Sequence, residues 1–255
     1  LDIFHNYEWP FNYFYDVDYV AGEYYCDVKV PWELSRLQYL PWLAEAYMLD
    51  PENKDLYLSH FIKLITSWLE SNPAGYGVNW TVSMEVAIRG CNLALSSSVF
   101  LSKLNSDLQK RIITSLQDHL NYIKRFPEFS DIQGNHFLSN LMGLTVLNGC
   151  LNGVSSKAYL KARENFYSEA QIQFEYEGCH LERSPLYHRL CLDMLIIVLA
   201  FDKRAGLNSL LGESILKRGL KFCDSISSKD SGLPIFGDSD SGHILWFGEN
   251  CRSTL

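Results

Sequence analysis

The chain has 255 residues, 47% of them hydrophobic, and this size and composition suit a single large globular domain. Its formal net charge of −8 argues against nucleic acid as the main partner, because surfaces that bind nucleic acid are usually basic. The sequence also argues against a membrane span, since the most apolar run, CLDMLIIVLAF, is short and contains Asp193.

The first 32 residues are dense in aromatic side chains and show no helical period, which predicts an irregular N-terminal arm. Two interpretations of its rings stay open. Trp9 or Tyr13 could stack on a sugar, or the rings could cover apolar helix ends, which is the commoner use of such side chains.

From residue 33 to residue 230 the apolar residues recur at helical spacing, which predicts eight helices. The predicted ranges are 33–49, 53–71, 79–102, 105–125, 135–152, 156–176, 185–205 and 208–228. Pro41 lies inside the first range and is expected to kink or split that helix. Taken in pairs, the helices make four hairpins with a period of about 50 residues, which predicts an all-α fold of the (α/α) toroid or helical solenoid type.

Polar side chains concentrate near the start of the first helix in each pair. They are Glu33 and Arg36, then Asn79, Glu85 and Arg89, then Asn135 and His136, then Tyr187 and His188. In a stack of parallel hairpins these starts share one rim, where positive helix N-termini also meet. We therefore predict a site on this rim for an anion or a developing oxyanion.

Two of the motifs have structural as well as functional interpretations. In NPAGYGVNWTVSMEVAIRG (72–90), Glu85 and Arg89 either form an intrahelical ion pair, or Arg89 clamps a substrate carboxylate while Glu85 holds it. In QGNHFLSN (133–140), Asn135 suits a helix N-cap and His136 suits a partly buried histidine. Taken alone, this second motif favours the structural roles.

The stretch GCHLERSPLYH (178–188) is harder to explain by structure alone. Ser184 followed by Pro185 predicts a helix start. That start does not account for His180, Glu182, Arg183, Tyr187 and His188. Zinc binding is a weaker alternative because no HExxH motif is present, and a Ser-His-Asp triad is weaker still because no GxSxG turn precedes a serine.

The C-terminal stretch, residues 231–255, predicts a loop with short strands. Asp238 and Asp240 resemble part of a calcium loop, but the twelve-residue pattern with its terminal Glu is missing, so an Asx-type turn is favoured. The seven scattered cysteines form no CxxC pair, which argues against a zinc ribbon and against a dense disulfide framework. The sequence therefore predicts no metal ligands.

Five segments, in this order and spacing, resemble the helical domain of heparinase II/III-like polysaccharide lyases: DVKVPWELSR, NPAGYGVNWTVSMEVAIR, GNHFLSNLMGL, GCHLERSPLYH and LPIFGDSDSG. The resemblance runs from about residue 27 to residue 243. It implies an (α/α) toroid followed by an antiparallel β-sandwich, and cleavage of uronic-acid-containing polysaccharides by β-elimination. Since the chain stops at Leu255, where the sandwich would begin, we expect an incomplete toroid that carries only part of an active site.

The resemblance also implies roles for individual residues. Asn135 would help to neutralise the uronate carboxylate, His136 would be a second polar contact or a base, and Tyr187 would pass protons to or from the sugar. Further substrate-binding positions are implied at Trp80, Glu85, Arg89, Glu182, Arg183 and His188. The chemistry suits these residue types, because the proton next to a carboxylate is removed readily only when the enolate-like intermediate is stabilised. Tyrosine, with a reference pKa of about 10, suits the acid role; as a base it would need cations such as Arg183, His136 or His188 nearby.

The implied partner is an acidic polysaccharide, with no cofactor in this chain and a structural metal expected only in the β-sandwich. A homodimer stays open, and so does the compartment: the family suggests a periplasmic or secreted protein, but a cytoplasmic one is not excluded. Two other functions are weighed. One is an (α/α) glycoside hydrolase that uses Glu85, Glu182 or Asp238 as paired carboxylates. The other is a non-catalytic polysaccharide-binding module.

Overall fold

The computed structural model describes residues 2–20, 26–228, 232–238 and 243–244. Over these residues the chain forms nine α-helices and four short 3₁₀ turns, with no strand pairing beyond isolated bridges. The helices are α1 (Lys29–Ser35), α2 (Tyr39–Leu49), α3 (Lys54–Ser71), α4 (Ser83–Phe100), α5 (Ser106–Arg125), α6 (Asn135–Asn152), α7 (Lys157–Gln173), α8 (Pro185–Arg204) and α9 (Leu210–Ile226). The all-α class predicted from the sequence is confirmed. Much of 231–255, with Asp240, lies outside the described residues.

The first predicted helix is two helices, α1 and α2, and the break lies before Pro41. Leu37 has a φ of +58°, in the left-handed region that is costly for a branched side chain, and its side chain is fully buried. Burial of Leu37 therefore accompanies the end of α1. Pro41 falls in the first turn of α2, where its missing N–H costs no hydrogen bond. The helix is thus split as expected, and the break includes Leu37, whose carbonyl would meet the ring of Pro41, four residues later, in a continuous helix.

Contacts divide the chain into two compact units, Leu1–Pro127 (unit 1) and Glu128–Leu255 (unit 2). The boundary lies between α5 and α6, and the sequence did not predict it. The predicted limits of the arm, the toroid and the C-terminal segment, at residues 32 and 230, stay predictions.

In unit 1 the N-terminal arm covers helix ends with its rings. Phe14 makes edge contacts with Tyr122 and Phe126, with ring centroids 5.0 Å apart in both pairs. Trp9 belongs to a buried cluster and is 7% exposed, which favours its packing role over stacking on a sugar. Tyr13, 43% exposed, keeps that interpretation open.

The helical core of unit 1 centres on α4, which is buried along most of its length. Helix α2 packs on α3 and α4, and α4 packs on α5. Phe61 of α3 stacks on Phe100 of α4 with ring centroids 4.4 Å apart. Because α4 is enclosed by its neighbours, its polar residues must find partners inside the unit.

In unit 2, α6 packs on α7 and α8, and α9 packs on the same two helices. The buried carboxylate of Asp202 in α8 joins α8 to α7: it accepts hydrogen bonds from the Tyr159 and Tyr167 hydroxyls, at 2.9 and 2.8 Å, and from Arg163 Nε at 2.6 Å. These three donors compensate the burial of the charge. These hydrogen bonds hold α7 and α8 together. The GCHLERSPLYH segment follows the end of α7 and runs into the first turn of α8.

Candidate functional site

The Asn135 and GCHLERSPLYH motifs meet in unit 2 at the N-terminus of α6. Glu182 Oε1 accepts from the backbone N–H of Asn135 at 2.5 Å, and Glu182 Oε2 accepts from Asn135 Nδ2 at 2.7 Å. A carboxylate at a helix N-terminus is stabilised by the helix dipole and satisfies an otherwise unpaired N–H. The interpretation of Asn135 as the N-cap is therefore wrong. Gly134 occupies the cap position, and Glu182, which is distant in sequence, caps the helix.

Gly134 leaves the space that this carboxylate fills. A Cβ at position 134 would lie 2.3 Å from Glu182 Oε1. The φ of Gly134, −130°, is open to any residue, so the requirement for glycine is steric.

Gln173, the last residue of α7, is hydrogen-bonded to the start of α6. It is fully buried, donates from Nε2 to the Gly134 carbonyl at 3.0 Å, and accepts at Oε1 from His180 Nε2 at 2.8 Å. His180 Nδ1 in turn accepts from the Glu182 N–H at 3.4 Å. These contacts assign the proton of His180 to Nε2 and hold the backbone of Glu182 beside α6.

His180 and His188 are neutral structural groups. Burial, reinforced by the nearby His188, lowers the pKa of His180 to about 3. Burial likewise lowers the pKa of His188, whose Nδ1 accepts from the His180 N–H and whose Nε2–H donates to the Gly219 carbonyl. Among the three candidate cations for activating Tyr187, His188 is therefore not favoured, because burial lowers its pKa.

Tyr187 lies in the first turn of α8. Ser184 Oγ accepts from the Tyr187 N–H at 3.2 Å with Pro185 at the first helical position, so the predicted helix start is confirmed. Ser184 Oγ also donates to the Asp238 carbonyl at 2.6 Å, which ties the C-terminal segment to this turn. The Tyr187 side chain is half-buried and keeps a solvent-facing part.

The other two predicted residues of this region lie at the surface and have acidic partners. His136, with its side chain 53% exposed, contacts Glu128 Oε1 through Nδ1 at 2.8 Å. Arg183, with its side chain 59% exposed, donates to Glu175 Oε1 at 2.5 Å. Both side chains can reach solvent, and each has a carboxylate beside it.

In unit 1, the predicted pair Glu85 and Arg89 is not formed as expected. Glu85 accepts a two-pronged pair of hydrogen bonds from Arg36, Nε to Oε2 and Nη2 to Oε1, both at 2.7 Å. The two side chains come from α4 and the end of α1, 49 residues apart. The intrahelical ion-pair interpretation is wrong, and Arg36 is a partner that the motif did not reveal.

Arg89 lies fully buried between two indoles, 5.0 Å from the Trp68 ring and 5.1 Å from the Trp80 ring. Its Nε donates to His119 Nε2 at 3.0 Å, and its Nη2 donates to the Asn79 carbonyl. Burial lowers the pKa of Arg89 to about 10 and that of His119 to about 3. In this structure Arg89 and Trp80 hold the segment before α4 in place, and their contact with substrate stays a prediction.

The zinc alternative finds no support in this geometry. His180 and His188 use their ring nitrogens in the hydrogen bonds given above, and the described residues contain no group of three His, Cys, Asp or Glu suited to hold a metal ion.

In the described part of the chain no helix combines the length and the apolar character that a membrane span needs.

Comparison with known proteins gives a consistent result. The family profile described as heparinase II/III N-terminus matches residues 2–253. A curated relative, the heparin-sulfate lyase of Pedobacter heparinus, is 24% identical over 230 residues, which cover 84% of this chain and 33% of the relative. The chain thus spans about a third of the length of that relative.

Solved structures show the same fold. A crystal structure of heparinase III matches with a TM-score of 0.63 at 16% identity, over 84% of this chain and 34% of the other. The heparan sulfate lyase HepC of Pedobacter heparinus matches with a TM-score of 0.56 at 21% identity, over 88% of this chain and 36% of the other. These likenesses agree with the incomplete (α/α) toroid class predicted from the sequence.

Proposed function

The chain belongs to the heparinase II/III family, and on that premise we propose that it is the helical part of a polysaccharide lyase that cleaves a uronic-acid-containing polysaccharide by β-elimination. The observation that carries the proposal is the contact between Glu182 and Asn135, which joins the Asn135 helix start to the segment that leads to Tyr187. The relative named heparin-sulfate lyase makes a heparan-type glycosaminoglycan the first substrate class to test.

Asn135 neutralises the uronate carboxylate in this proposal. Glu182 takes one hydrogen of the Asn135 amide, which fixes the plane of the amide and leaves the second N–H as the donor to substrate. The N-terminus of α6 adds positive potential at the same place. Stabilising the carboxylate in its enolate-like form lowers the barrier to removal of the neighbouring proton.

Tyr187 donates the proton to the leaving group. A base takes the C5 proton, the electron pair forms the C4–C5 double bond, the C4–O bond breaks, and the glycosidic oxygen takes a proton from the Tyr187 hydroxyl. An ordinary phenol suits this acid role, and the neutral His188 next to it supplies no charge that would favour the phenolate. His136, exposed at the start of α6, is the proposed second polar contact or base.

The test is an elimination assay with uronate polysaccharides of different types, run on this chain and on any longer natural form of it. The unsaturated uronate product is followed by its ultraviolet absorbance. We expect product with the wild type and a fall in kcat of about 100-fold or more for Tyr187→Phe, because general acid catalysis contributes on that order. Tyr176→Phe, in the preceding loop and 89% exposed, is the matched control and should keep full activity.

The two other functions predict different outcomes of this assay. Hydrolysis would give saturated reducing ends without ultraviolet absorbance, and a binding module would bind without turnover and be indifferent to Tyr187→Phe. Of the three carboxylates weighed for hydrolysis, Glu85 is paired with Arg36, Glu182 caps α6, and only Asp238 is exposed, so no pair of them is available. Lyase chemistry is therefore the function that the geometry supports best.

A further inference from the structure

A second place in the molecule has the features of a ligand site. In unit 1 a cavity of about 520 Å³ lies where the N-terminal arm meets α1, the end of α3 and the loop before α4. This volume is within the usual range for small-molecule sites, which is about 300–1,000 Å³. The cavity shares none of its lining with the Asn135 and Tyr187 segments.

Three aromatic residues line this cavity: Trp9 is buried, whereas Phe11 and Tyr76 are exposed. Phe11 of the arm is 64% exposed and Tyr76 of the loop is 46% exposed. Their rings stack on each other at 6.0 Å between centroids with 25° between planes, and this stacked pair is the aromatic platform in the wall of the cavity. Gly77, with a φ of +77°, lets the loop run close to Phe11; a Cβ there would lie 3.6 Å from the ring.

Amide groups lie beside the platform. Asn79 Nδ2 donates to Asn72 Oδ1 at 2.7 Å, and both residues line the cavity. Pro31 and Leu34 of α1 add apolar wall. An apolar platform with a few amides is the composition that suits a sugar ring, which has apolar C–H faces and polar edges.

The charge of the lining narrows the choice of sugar. Glu8 is the only formally charged residue among the described residues that line the cavity, and none of them is Lys, Arg or His. Sulfate and uronate groups are normally bound by such cations, and a nearby carboxylate repels them. A site of this composition therefore rejects the charged groups of an acidic polysaccharide.

We propose that this cavity binds an uncharged N-acetylhexosamine unit of the polysaccharide, with the ring on Phe11 and Tyr76 and the acetamido group between the apolar wall and the Asn amides. The proposal deepens the proposed function and rests on it for the identity of the polymer. It assigns to the N-terminal arm a ligand-binding role apart from the chemistry at Tyr187.

The test is isothermal titration of the 255-residue chain with two matched tetrasaccharides. Both alternate glucuronate with glucosamine, and the glucosamine carries an N-acetyl group in one and an N-sulfate in the other. Tyr187→Phe serves as the background, so that no turnover occurs. We expect the N-acetyl form to bind at least about tenfold more tightly, and Phe11→Ala or Tyr76→Ala to weaken that binding about tenfold through loss of apolar contact.

Two further variants test whether the difference in affinity comes from the cavity lining. Tyr15→Ala, on the same arm, 81% exposed and outside the lining, is the matched control and should leave both affinities unchanged. Glu8→Gln should strengthen binding of the N-sulfated form and so reduce the difference in affinity between the two tetrasaccharides. Absence of binding, equal affinity for the two sugars, or indifference to Phe11→Ala and Tyr76→Ala would each overturn the proposal.

These results are separable from the lyase assay. If elimination depends on Tyr187 while the N-acetyl preference is missing, the proposed function stands and the cavity site falls. If the preference and its dependence on Phe11 and Tyr76 are seen without any elimination product, the cavity site stands and the lyase falls.

Discussion

Glu182 links Asn135 to the segment of Tyr187 across 47 residues of sequence. Its carboxylate accepts two hydrogen bonds from Asn135, and it touches substrate in neither step proposed above. Within the proposed function we therefore expect Glu182 to be a positioning residue, with an effect on catalysis that passes through the orientation of the Asn135 amide.

Glu182→Gln tests this role. The glutamine carbonyl can still accept from the Asn135 backbone, but its NH₂ faces the Asn135 NH₂, so the Asn135 side chain must turn. We expect a loss of about 1 kcal/mol in the free energy of unfolding, typical of one hydrogen bond. We expect kcat to fall by about tenfold or more with a smaller change in KM, because the interaction matters most in the transition state. Glu177→Gln, exposed in the same loop, is the control, and an unchanged kcat in Glu182→Gln would refute the role.

The buried histidines predict how stability depends on pH. The pKa is lowered from 6.5 to about 3 in His119 and in His180, so these residues stay neutral in the folded state while they take up protons in the unfolded state below pH 6.5. Their contribution is complete above that pH and is lost as the pH falls toward 3. Between pH 7 and pH 5 we expect each to cost about 2 kcal/mol in the free energy of unfolding, measured by urea denaturation. His119→Gln should flatten the dependence, and an equal slope in wild type and variant would contradict the assignment.

At the scale of helices, α6 is the element best predicted from sequence, and its bounds match those observed, 135–152. Glycines flank both ends, and each has its own physical reason. Gly153 at the C-terminus has a φ of +83°, which only glycine adopts without strain, whereas Gly134 at the N-terminus is needed for space. Local signals of this kind are readable because they depend on a few neighbouring residues.

Long-range features were not readable in the same way. The pairing of Arg36 with Glu85 joins residues 49 positions apart, and Leu37, at the break of the first helix, is buried by the folded unit. Spacing along one helix suggested Arg89 as the partner of Glu85 because i, i+4 is the only contact that a single helix discloses. The sequence motifs pointed to Asn135 and Tyr187. The hydrogen bonds of Gln173 and His180 that hold this region in place are seen only in the folded structure.

The two glycines of α6 make a matched pair of substitutions. Gly134→Ala puts a methyl group against the Glu182 carboxylate and should displace it, so we expect a loss of about 1–2 kcal/mol together with a fall in lyase activity. Gly153→Ala meets nothing within 4 Å and is strained only by its φ, so we expect about 1 kcal/mol of destabilisation with kcat unchanged. Thermal denaturation and the elimination assay measure both quantities. The prediction fails if the two variants lose activity in equal proportion to their stability.

On the scale of the whole molecule, the chain carries a net charge of −8 and spans about a third of its curated relative. An acidic molecule does not attract a polyanion by its net charge, so recognition must come from local groups. The groups proposed here are the Asn135 helix start for a uronate and the cavity of the arm for an uncharged sugar. Both are in the described part of this chain, so the two proposals together place substrate binding within it.

Catalysis is expected to need more than binding. Among the cations considered as activators of Tyr187, His188 is neutral through burial and Arg183 is paired with Glu175, so the described residues supply an acid more clearly than a base. We therefore predict that the 255-residue chain binds uronate tetrasaccharides but eliminates them at least about 100-fold more slowly than the curated heparin-sulfate lyase of Pedobacter heparinus, a difference equal to the usual contribution of a general base. Titration calorimetry measures the first quantity and ultraviolet absorbance the second. Equal kcat in the two proteins would show that the chain holds its own base, and His136→Ala would then identify whether that base is His136.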